Sequence, residues 1–217
     1  MTLSRIAAFC AALALPMVVS AEPPAGWKSK HPDKGKWVVG TAAVDDKDPK
    51  KLTVKDGGTD VVNVQPASDL ISEAKYGDCM IELEFLIPKG SNSGVYVMGE
   101  YEVQILDSYG KPADKLTQGD LGALYSAAAP KVNASKKPGE WQKFVIEFQA
   151  PKFDGTKKVA NARFVKVTLN GVVLHENVEM KGVTPGGLTG KEAATGPLMF
   201  QGDHGQVALR NIKVTSR

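Results

Sequence analysis

The residues of this sequence best suited to chemistry lie in one stretch, residues 91–110, which reads SNSGVYVMGEYEVQILDSYG. It predicts two short β-strands joined near Gly99-Glu100. In the second strand, apolar residues at 101, 103 and 105 alternate with polar Glu102 and Gln104. Successive side chains of a strand point to opposite faces, so the carboxylate and the amide share one face. We predict that this face binds a ligand or catalyses a reaction.

Further polar side chains lie in or beside other predicted strands. Fixed hydrogen-bond donors and acceptors, together with an aromatic platform, suit a hydroxyl-rich ligand such as a sugar. The candidate set is Asn92, Glu102, Gln104, Tyr125, Gln201, Asp203, His204 and Arg210. Each residue also has a purely structural explanation. Asn92 and Asp203 could shape turns, and Arg210 could pair with a surface acid.

Other kinds of site fit the sequence less well. The histidines have no cysteine or second histidine nearby, so a zinc site is not expected. No Gly-x-Ser-x-Gly motif is present to carry a serine nucleophile. Glu82 and Glu84 have the alternate spacing that retaining glucanases use for carboxylates about 5 Å apart. The residues around them match no such motif, and the solvent-facing side of a sheet explains them equally well.

The rest of the chain reads as short β-strands separated by turns. Turn clusters such as residues 45–49 and 56–60 separate runs rich in β-branched and aromatic residues. Asn170-Gly171 lies between two such runs and predicts a hairpin with a type I′ turn. No segment shows helical periodicity over three turns, and no repeat is visible. The sequence therefore predicts an all-β, two-sheet antiparallel β-sandwich in a single domain.

The N-terminal residues predict export. Arg5 precedes an apolar run over residues 6–19 and a small-residue cleavage site, which is the pattern of a secretory signal peptide. A membrane anchor is the alternative, but the run is shorter than the roughly 20 residues that span a bilayer. We expect a signal peptide at residues 1–21, a loose lead-in at 22–36 and the sandwich at 37–217. The expected location is periplasmic or extracellular.

Composition limits the partners of the chain. Removal of Arg5 with the signal peptide lowers the net charge from +3 to +2, by subtraction of one. The lysines are scattered without interleaved aromatic residues, so nucleic-acid binding is not expected. No later segment resembles a membrane span, so stable membrane insertion is not expected either. Cys79 is the only cysteine of the expected mature chain, so a hydrophobic core must hold the domain together.

Several motifs, taken in order, resemble a known family. They are NSGVY at 92–96, YEVQILD at 101–107, GALY at 122–125, GEW at 139–141, LNG at 169–171, and GPLMFQ at 196–201 continuing through His204 to RNI at 210–212. Together they resemble the 3-keto-disaccharide hydrolase family over about residues 37–214. The resemblance implies a concanavalin A-like lectin/glucanase sandwich. It also implies lyase or hydrolase action on glycosides that are oxidised at C3 of the sugar.

The implied chemistry accounts for the residue types. A keto group at C3 makes the C2 proton acidic, so a carboxylate or imidazole can remove it while donors stabilise the enolate and the C1 substituent leaves. Water then adds across the double bond. On this resemblance, Glu102, Asp107 or His204 is the acid or base. Gln201 and Arg210 are assigned as stabilisers of the enolate. The assigned sugar contacts are Asn92, Gln104, Tyr125 and Asp203.

Several alternatives stay open from the sequence. Asp107 has the parity of the apolar residues of its strand, so it reaches the cleft only if the strand ends or bulges before it. A divalent metal ion could replace Arg210 as the enolate stabiliser, and no other cofactor is implied. A sugar 3-oxidoreductase acting upstream would supply the keto substrate. The competing functions are a non-catalytic carbohydrate-binding module of the same fold and a structural or interaction domain of the cell envelope.

Overall fold

The structure is a computed structural model that describes residues 24–34, 37–64 and 68–217. The predicted signal peptide at residues 1–21 lies outside these ranges. Within them the chain forms fourteen strands and one short 3-10 turn, Ala113–Lys115. The strands are β1 (Trp27–Ser29), β2 (Trp37–Val44), β3 (Leu52–Asn63), β4 (Leu70–Tyr76), β5 (Cys79–Leu86), β6 (Asn92–Val97), β7 (Tyr101–Leu106), β8 (Gln142–Gln149), β9 (Lys152–Asp154), β10 (Lys157–Ala160), β11 (Ala162–Leu169), β12 (Val172–Met180), β13 (Gly196–Phe200) and β14 (Val207–Ser216). In the described ranges no helix has the length and apolar character needed to cross a membrane.

Two antiparallel sheets make up the fold. The front sheet has five strands in the order β1-β4-β13-β6-β7, and the back sheet has seven in the order β12-β11-β8-β5-β14-β3-β2. Strands β9 and β10 form a separate two-stranded ribbon. This arrangement confirms the predicted all-β, two-sheet antiparallel sandwich.

Side-chain alternation places the core between the sheets. In β5, Ile81, Leu83 and Phe85 are buried, while the residues between them are less so. They belong to the same apolar cluster as Val103 and Ile105 of the front sheet. Burial of these apolar surfaces stabilises the domain by roughly 25 cal/mol per Å². Cys79 lies in this core as a free thiol, and burial raises its pKa to about 11.

Two hairpins form as the sequence predicts. The β11–β12 turn has Asn170 at φ 54° and Gly171 at φ 83°, the left-handed pair that a type I′ turn requires. The β6–β7 hairpin turns at residues 98–100, with Met98 and Gly99 also in the left-handed region. Its register sets Tyr96 opposite Glu102. The second hairpin therefore fixes which side chains lie next to the Glu102 carboxyl.

Two local predictions were wrong. The cluster at residues 56–60 does not reverse the chain, because the pairing of β2 with β3 passes directly from Gly40–Asp60 to Thr41–Lys55. These turn-forming residues make a long bulge inside β3. The expected loose lead-in contains the edge strand β1, which pairs with β4. Its Trp27 ring stacks on Phe200 with the ring centres 5.2 Å apart.

Candidate functional site

The polar residues of β7 lie on the outer side of the front sheet. Glu102 and Gln104 point away from the core into which Val103 and Ile105 project. Both polar side chains are nevertheless buried. Loops cover this side of the sheet, so a polar face that would ordinarily be solvated is removed from water.

A cleft of about 220 Å³, here called the central cleft, opens on this face. Its lining residues are Asn92, Tyr96, Glu102, Gln104, Tyr125, Pro185, Gly186, Gln201 and His204. They come from β6, β7 and three separate loops. The structure thus brings together all of the predicted site residues except Asp107, Asp203 and Arg210.

Glu102 has the electrostatic environment expected of a proton-transfer group. Its side chain is 2% exposed, and its Oε2 accepts a hydrogen bond from the Tyr96 hydroxyl at 2.7 Å. Burial raises the pKa of Glu102 to about 7, although the Tyr96 hydrogen bond and the His204 imidazole act in the opposite direction. The Asp69 carboxylate adds to the rise. A carboxyl group that titrates near neutral pH is well matched to general-base catalysis.

Two glycines allow the close approach of Glu102 and Tyr96 to their neighbours. A Cβ at Gly94 would lie 2.2 Å from Glu102 Oε1, so a side chain there would displace the carboxyl group. A Cβ at Gly186 would lie 2.7 Å from the Tyr96 hydroxyl, and Gly186 also has a φ of +79°. Glycine at 94 thus leaves room for this position of the Glu102 carboxyl, and the backbone conformation at 186 favours glycine.

Two amide side chains offer acceptors to a ligand. The side-chain oxygens of Gln104 and Asn92 are buried, and neither has a hydrogen-bond partner among the described residues. Buried polar atoms of folded proteins almost always have a partner in the protein, a bound water or a ligand. Both residues line the central cleft. Their oxygens are therefore suited to receive hydrogen bonds from sugar hydroxyl groups.

The loop after β13, residues 201–206, forms one wall of the cleft and is held firmly on the front sheet. The Ser93 hydroxyl donates to the Gln201 carbonyl at 2.8 Å. The Gly202 N–H donates to Asp69 Oδ1 at 3.2 Å. The position of this wall is therefore set by contacts to the strands beneath it.

His204 is the other group in the cleft that can transfer a proton. Its side chain is 52% exposed, and its Nδ1 lies 2.5 Å from Asp203 Oδ1. Such a contact orients an imidazole ring. Asp203 itself is absent from the cleft lining and contacts the histidine. Its contact with a sugar stays a prediction.

A second loop, residues 182–195, covers the hairpin and is here called the cover loop. The buried Glu100 carboxylate accepts hydrogen bonds from the Thr189 N–H at 2.8 Å and the Thr189 hydroxyl at 2.6 Å. Its other oxygen accepts the Gly190 N–H at 3.0 Å. These charge-assisted bonds attach the loop to the hairpin turn.

Two loops that form walls of the cleft are hydrogen-bonded to the backbone of Glu102. The Thr184 hydroxyl oxygen accepts the Glu102 N–H at 2.9 Å and donates its own proton to the Glu100 carbonyl at 3.0 Å. On the other side, the Tyr125 N–H donates to the Glu102 carbonyl at 3.1 Å. The cover loop and the loop carrying Tyr125 are thus both attached directly to Glu102.

Asp107 does not lie in the cleft, and its predicted placement there was wrong. Strand β7 does end at Leu106, which was the condition for Asp107 to face the cleft. The carboxylate instead accepts the Gly90 N–H at 2.8 Å and the Tyr109 N–H at 3.3 Å. It shapes a turn, as aspartate commonly does after a strand.

The predicted placement of Arg210 in the cleft was also wrong. Arg210 belongs to β14 of the back sheet, where its Nε donates to Glu84 Oε2 at 2.7 Å. Its guanidinium group lies 3.9 Å from the centre of the Trp141 ring. Nearby, Glu82 pairs with Lys143 at 2.8 Å. These charges satisfy one another on the outer face of the back sheet, which is the surface-pair explanation considered for Arg210.

No role was predicted from the sequence for Tyr96, Glu100, Thr184 or Asp69. For Tyr96 a signal was present, since it shares the parity of Asn92 in β6 and therefore the cleft face. Glu100, Thr184 and Asp69 act through contacts between segments far apart in the chain. No local pattern marks such contacts, so these residues could not be found from spacing.

A metal ion has few candidate ligands among the described residues. The described residues contain no group of three or more histidine, cysteine, aspartate or glutamate side chains that could hold one. In the central cleft, Glu102 and His204 are the side chains of the types that usually coordinate divalent metals. A divalent ion as enolate stabiliser stays a prediction.

The attachment of the cover loop predicts a stability effect. Glu100→Ala removes a buried carboxylate that accepts three hydrogen bonds from the loop, so we expect a loss of about 2–3 kcal/mol in the free energy of unfolding. Urea unfolding at pH 7 measures it, and limited proteolysis should cut the variant first within residues 182–195. Glu140→Ala, at an exposed position, is the matched control. Equal stability of the two variants would contradict the anchoring role of Glu100.

The raised pKa of Glu102 predicts that the free energy of unfolding decreases as the pH rises. Between the ordinary value of 4.5 and about 7, the unfolded chain releases this proton while the folded chain keeps it. Stability therefore falls as the pH rises through this window. Glu102→Gln removes the charge, so at pH 8 it should be more stable than the wild type by up to about 3 kcal/mol. At pH 5 the advantage should be mostly lost. Urea unfolding at both pH values tests this, and a variant no more stable than the wild type at pH 8 would contradict it.

Comparison with known proteins agrees with the fold and the motifs. Residues 22–215 match the 3-keto-alpha-glucoside-1,2-lyase-like domain. A candidate glycosyl hydrolase from Parabacteroides distasonis ATCC 8503 has a crystal structure that is 26% identical, with a TM-score of 0.68, over 92% of this chain and 82% of that chain. Two further candidate glycosyl hydrolases from the same organism share the fold. One is 18% identical with a TM-score of 0.58, over 91% of each chain, and the other is 22% identical with a TM-score of 0.52, over 88% of this chain and 99% of that chain.

No curated protein gives a significant match. The two-sheet sandwich is of the concanavalin A-like jelly-roll type, as the motifs imply. The family match spans nearly all of the described residues and includes every strand that lines the central cleft. The resemblance to 3-keto-disaccharide hydrolases is thereby confirmed, and the chain belongs to the family of 3-keto-alpha-glucoside-1,2-lyase-like domains.

Proposed function

We propose that this protein is an exported enzyme that cleaves 3-keto-glycosides by elimination of the C1 substituent and hydration, with Glu102 as the base. The observation that carries the proposal is the buried Glu102 carboxyl, whose pKa is raised to about 7, in a cleft lined by amide and hydroxyl groups. Membership of the family and the glycosyl hydrolase fold support a carbohydrate-active function. The nature of the substrate is the further step that we infer.

The first step of the proposed reaction is removal of the C2 proton. The ketone at C3 makes this proton acidic, because the electrons left at C2 delocalise onto the C3 oxygen. The Tyr96 hydroxyl holds Oε2 of Glu102, which leaves Oε1 to take the proton. With Arg210 on the other sheet, enolate stabilisation falls to the cleft amides, of which Gln201 was the predicted one.

The second step is loss of the group at C1. The enolate electrons form a C1–C2 double bond as the C1–oxygen bond breaks, and the departing oxygen takes a proton. We assign His204 as the donor of that proton, since its imidazole lines the cleft and it was one of the predicted acid or base groups. Water then adds, with its hydroxyl going to C1 and a proton returning to C2. The products are the free 3-keto-sugar and the released alcohol.

The proposed substrate requires an earlier oxidation of the sugar. A ketone at C3 must be installed before this chemistry can begin, so the proposal includes a sugar 3-oxidoreductase that acts upstream. Export is part of the same proposal and rests on the signal-peptide pattern of residues 1–21.

Release of the aglycone tests the function. The purified protein should release it from a 3-keto-glucoside and leave the unoxidised glucoside intact. Glu102→Gln should lower kcat by about 10²–10⁴-fold, the usual contribution of a general base. His204→Ala should cause a smaller loss, because the half-exposed imidazole can be replaced in part by water.

Two matched controls come from the predicted residues that lie outside the cleft. Asp107→Asn and Arg210→Ala should retain nearly full activity once folding has been verified. An intact 3-keto substrate after incubation with the wild type, with and without added divalent metal, would refute the enzyme assignment. Retention of unoxidised glycan in that case would favour a carbohydrate-binding module.

The pH dependence tests the assignment of Glu102 as the base. The base must be ionised, so kcat/KM should rise about tenfold per pH unit below pH 7 and level off above it. The midpoint should lie near the folded-state pKa of Glu102, about 7. Steady-state assays from pH 5 to 9 would measure the profile. Activity that falls as the pH rises through 7 would instead indicate that Glu102 acts as an acid.

A further inference from the structure

The central cleft has room for little more than one sugar ring. Its volume of about 220 Å³ is below the roughly 300–1,000 Å³ of clefts that enclose drug-sized ligands. A disaccharide or an aryl glycoside carries a second ring on C1. During the proposed reaction that ring must lie in an adjoining part of the surface.

Three neighbouring clefts are large enough to hold it. One, about 400 Å³, shares no lining residue with the central cleft. Leu188 lines it and packs against Ile71, Tyr96 and Met199, so it separates the two spaces. A second, about 530 Å³, shares Tyr125 alone with the central cleft. The third, here called the side cleft, has a volume of about 360 Å³ and shares both Tyr125 and Pro185 with it. The side cleft therefore has the most lining in common with the central one.

The side cleft also begins beside the proposed base. Tyr125 and Thr184 both line it. Each hydrogen-bonds the backbone of Glu102, at 3.1 and 2.9 Å. The leaving group is attached to C1, which is bonded to the C2 carbon that Glu102 deprotonates. A ring on C1 thus needs to extend only a short way to enter this space.

The walls of the side cleft have the character of a sugar-binding surface. Tyr125 offers an aromatic ring between the two clefts, a platform against which the apolar face of a sugar or an aryl ring can pack. Ser126, Glu179 and Lys181 supply a hydroxyl, a carboxylate and an ammonium group around it. These groups can pair with the hydroxyls of a second sugar.

We propose that the side cleft is the subsite for the leaving group, where the second ring of a 3-keto-disaccharide or the ring of an aryl glycoside binds. This inference rests on the proposed function. Tyr125 is then the residue that selects ring-bearing aglycones over small alkyl ones.

Filling the side cleft tests the subsite. Ala127 is exposed and lines the side cleft but not the central cleft, so Ala127→Trp occupies the space without disturbing the core. For a 3-keto-disaccharide, kcat/KM should fall by about tenfold or more. For methyl 3-keto-glucoside, whose methyl group does not reach the side cleft, it should change by less than about twofold. Ala129→Trp fills the cleft of about 530 Å³ that shares Tyr125 alone with the central cleft, so it should leave both values within about twofold of the wild type.

Equal losses for both substrates, or no loss for either, would overturn the subsite. A binding measurement separates this failure from failure of the proposed function. The measurement is calorimetry in the Glu102→Gln background, where Ala127→Trp should raise the Kd for the 3-keto-disaccharide about tenfold. The Kd for the methyl glycoside should stay unchanged. If the wild type turns over neither substrate, the proposed function fails, and this calorimetric difference still decides whether the side cleft binds the second ring.

Discussion

The site depends on the removal of one carboxyl group from water by loops. Glu102 projects from the outer face of a sheet, where a glutamate would ordinarily be solvated and ionised at neutral pH. The cover loop and the loop carrying Tyr125 are hydrogen-bonded to its own backbone and enclose it. The resulting desolvation raises its pKa to about 7, and that value makes the group useful as a base.

A second carboxylate makes this arrangement possible. Glu100 lies two residues before Glu102 and faces the same side of the hairpin, but its oxygens accept hydrogen bonds from the cover loop. Its charge is thus used to hold the loop that isolates Glu102. Two neighbouring acids in one hairpin have different roles. The Glu100 carboxylate accepts several hydrogen bonds, whereas among the described residues the Glu102 carboxyl accepts one, from the Tyr96 hydroxyl.

The sequence predicts most of what depends on local pattern. Alternation in β7 correctly assigns Glu102 and Gln104 to one face, and Asn170-Gly171 correctly marks a hairpin. Parity cannot tell which sheet a strand joins, and for that reason Arg210 was placed in the cleft although β14 lies in the back sheet. The bulge in β3 was missed because Gly- and Asp-rich residues favour turns and bulges alike. The cover loop could not be predicted, because its contacts join residues some 80 or more positions apart.

The proposed reaction begins with proton removal from C2, so the hydrogen content of the product at C2 is the measurement that decides it. We expect that 3-keto-sugar released by the wild type in D₂O carries deuterium at C2, well above the level of spontaneous exchange in a control without enzyme. Proton NMR of the product would show the loss of the C2 signal. A product that keeps its original C2 hydrogen, formed equally fast by the wild type and Glu102→Gln, would contradict elimination and the role of Glu102.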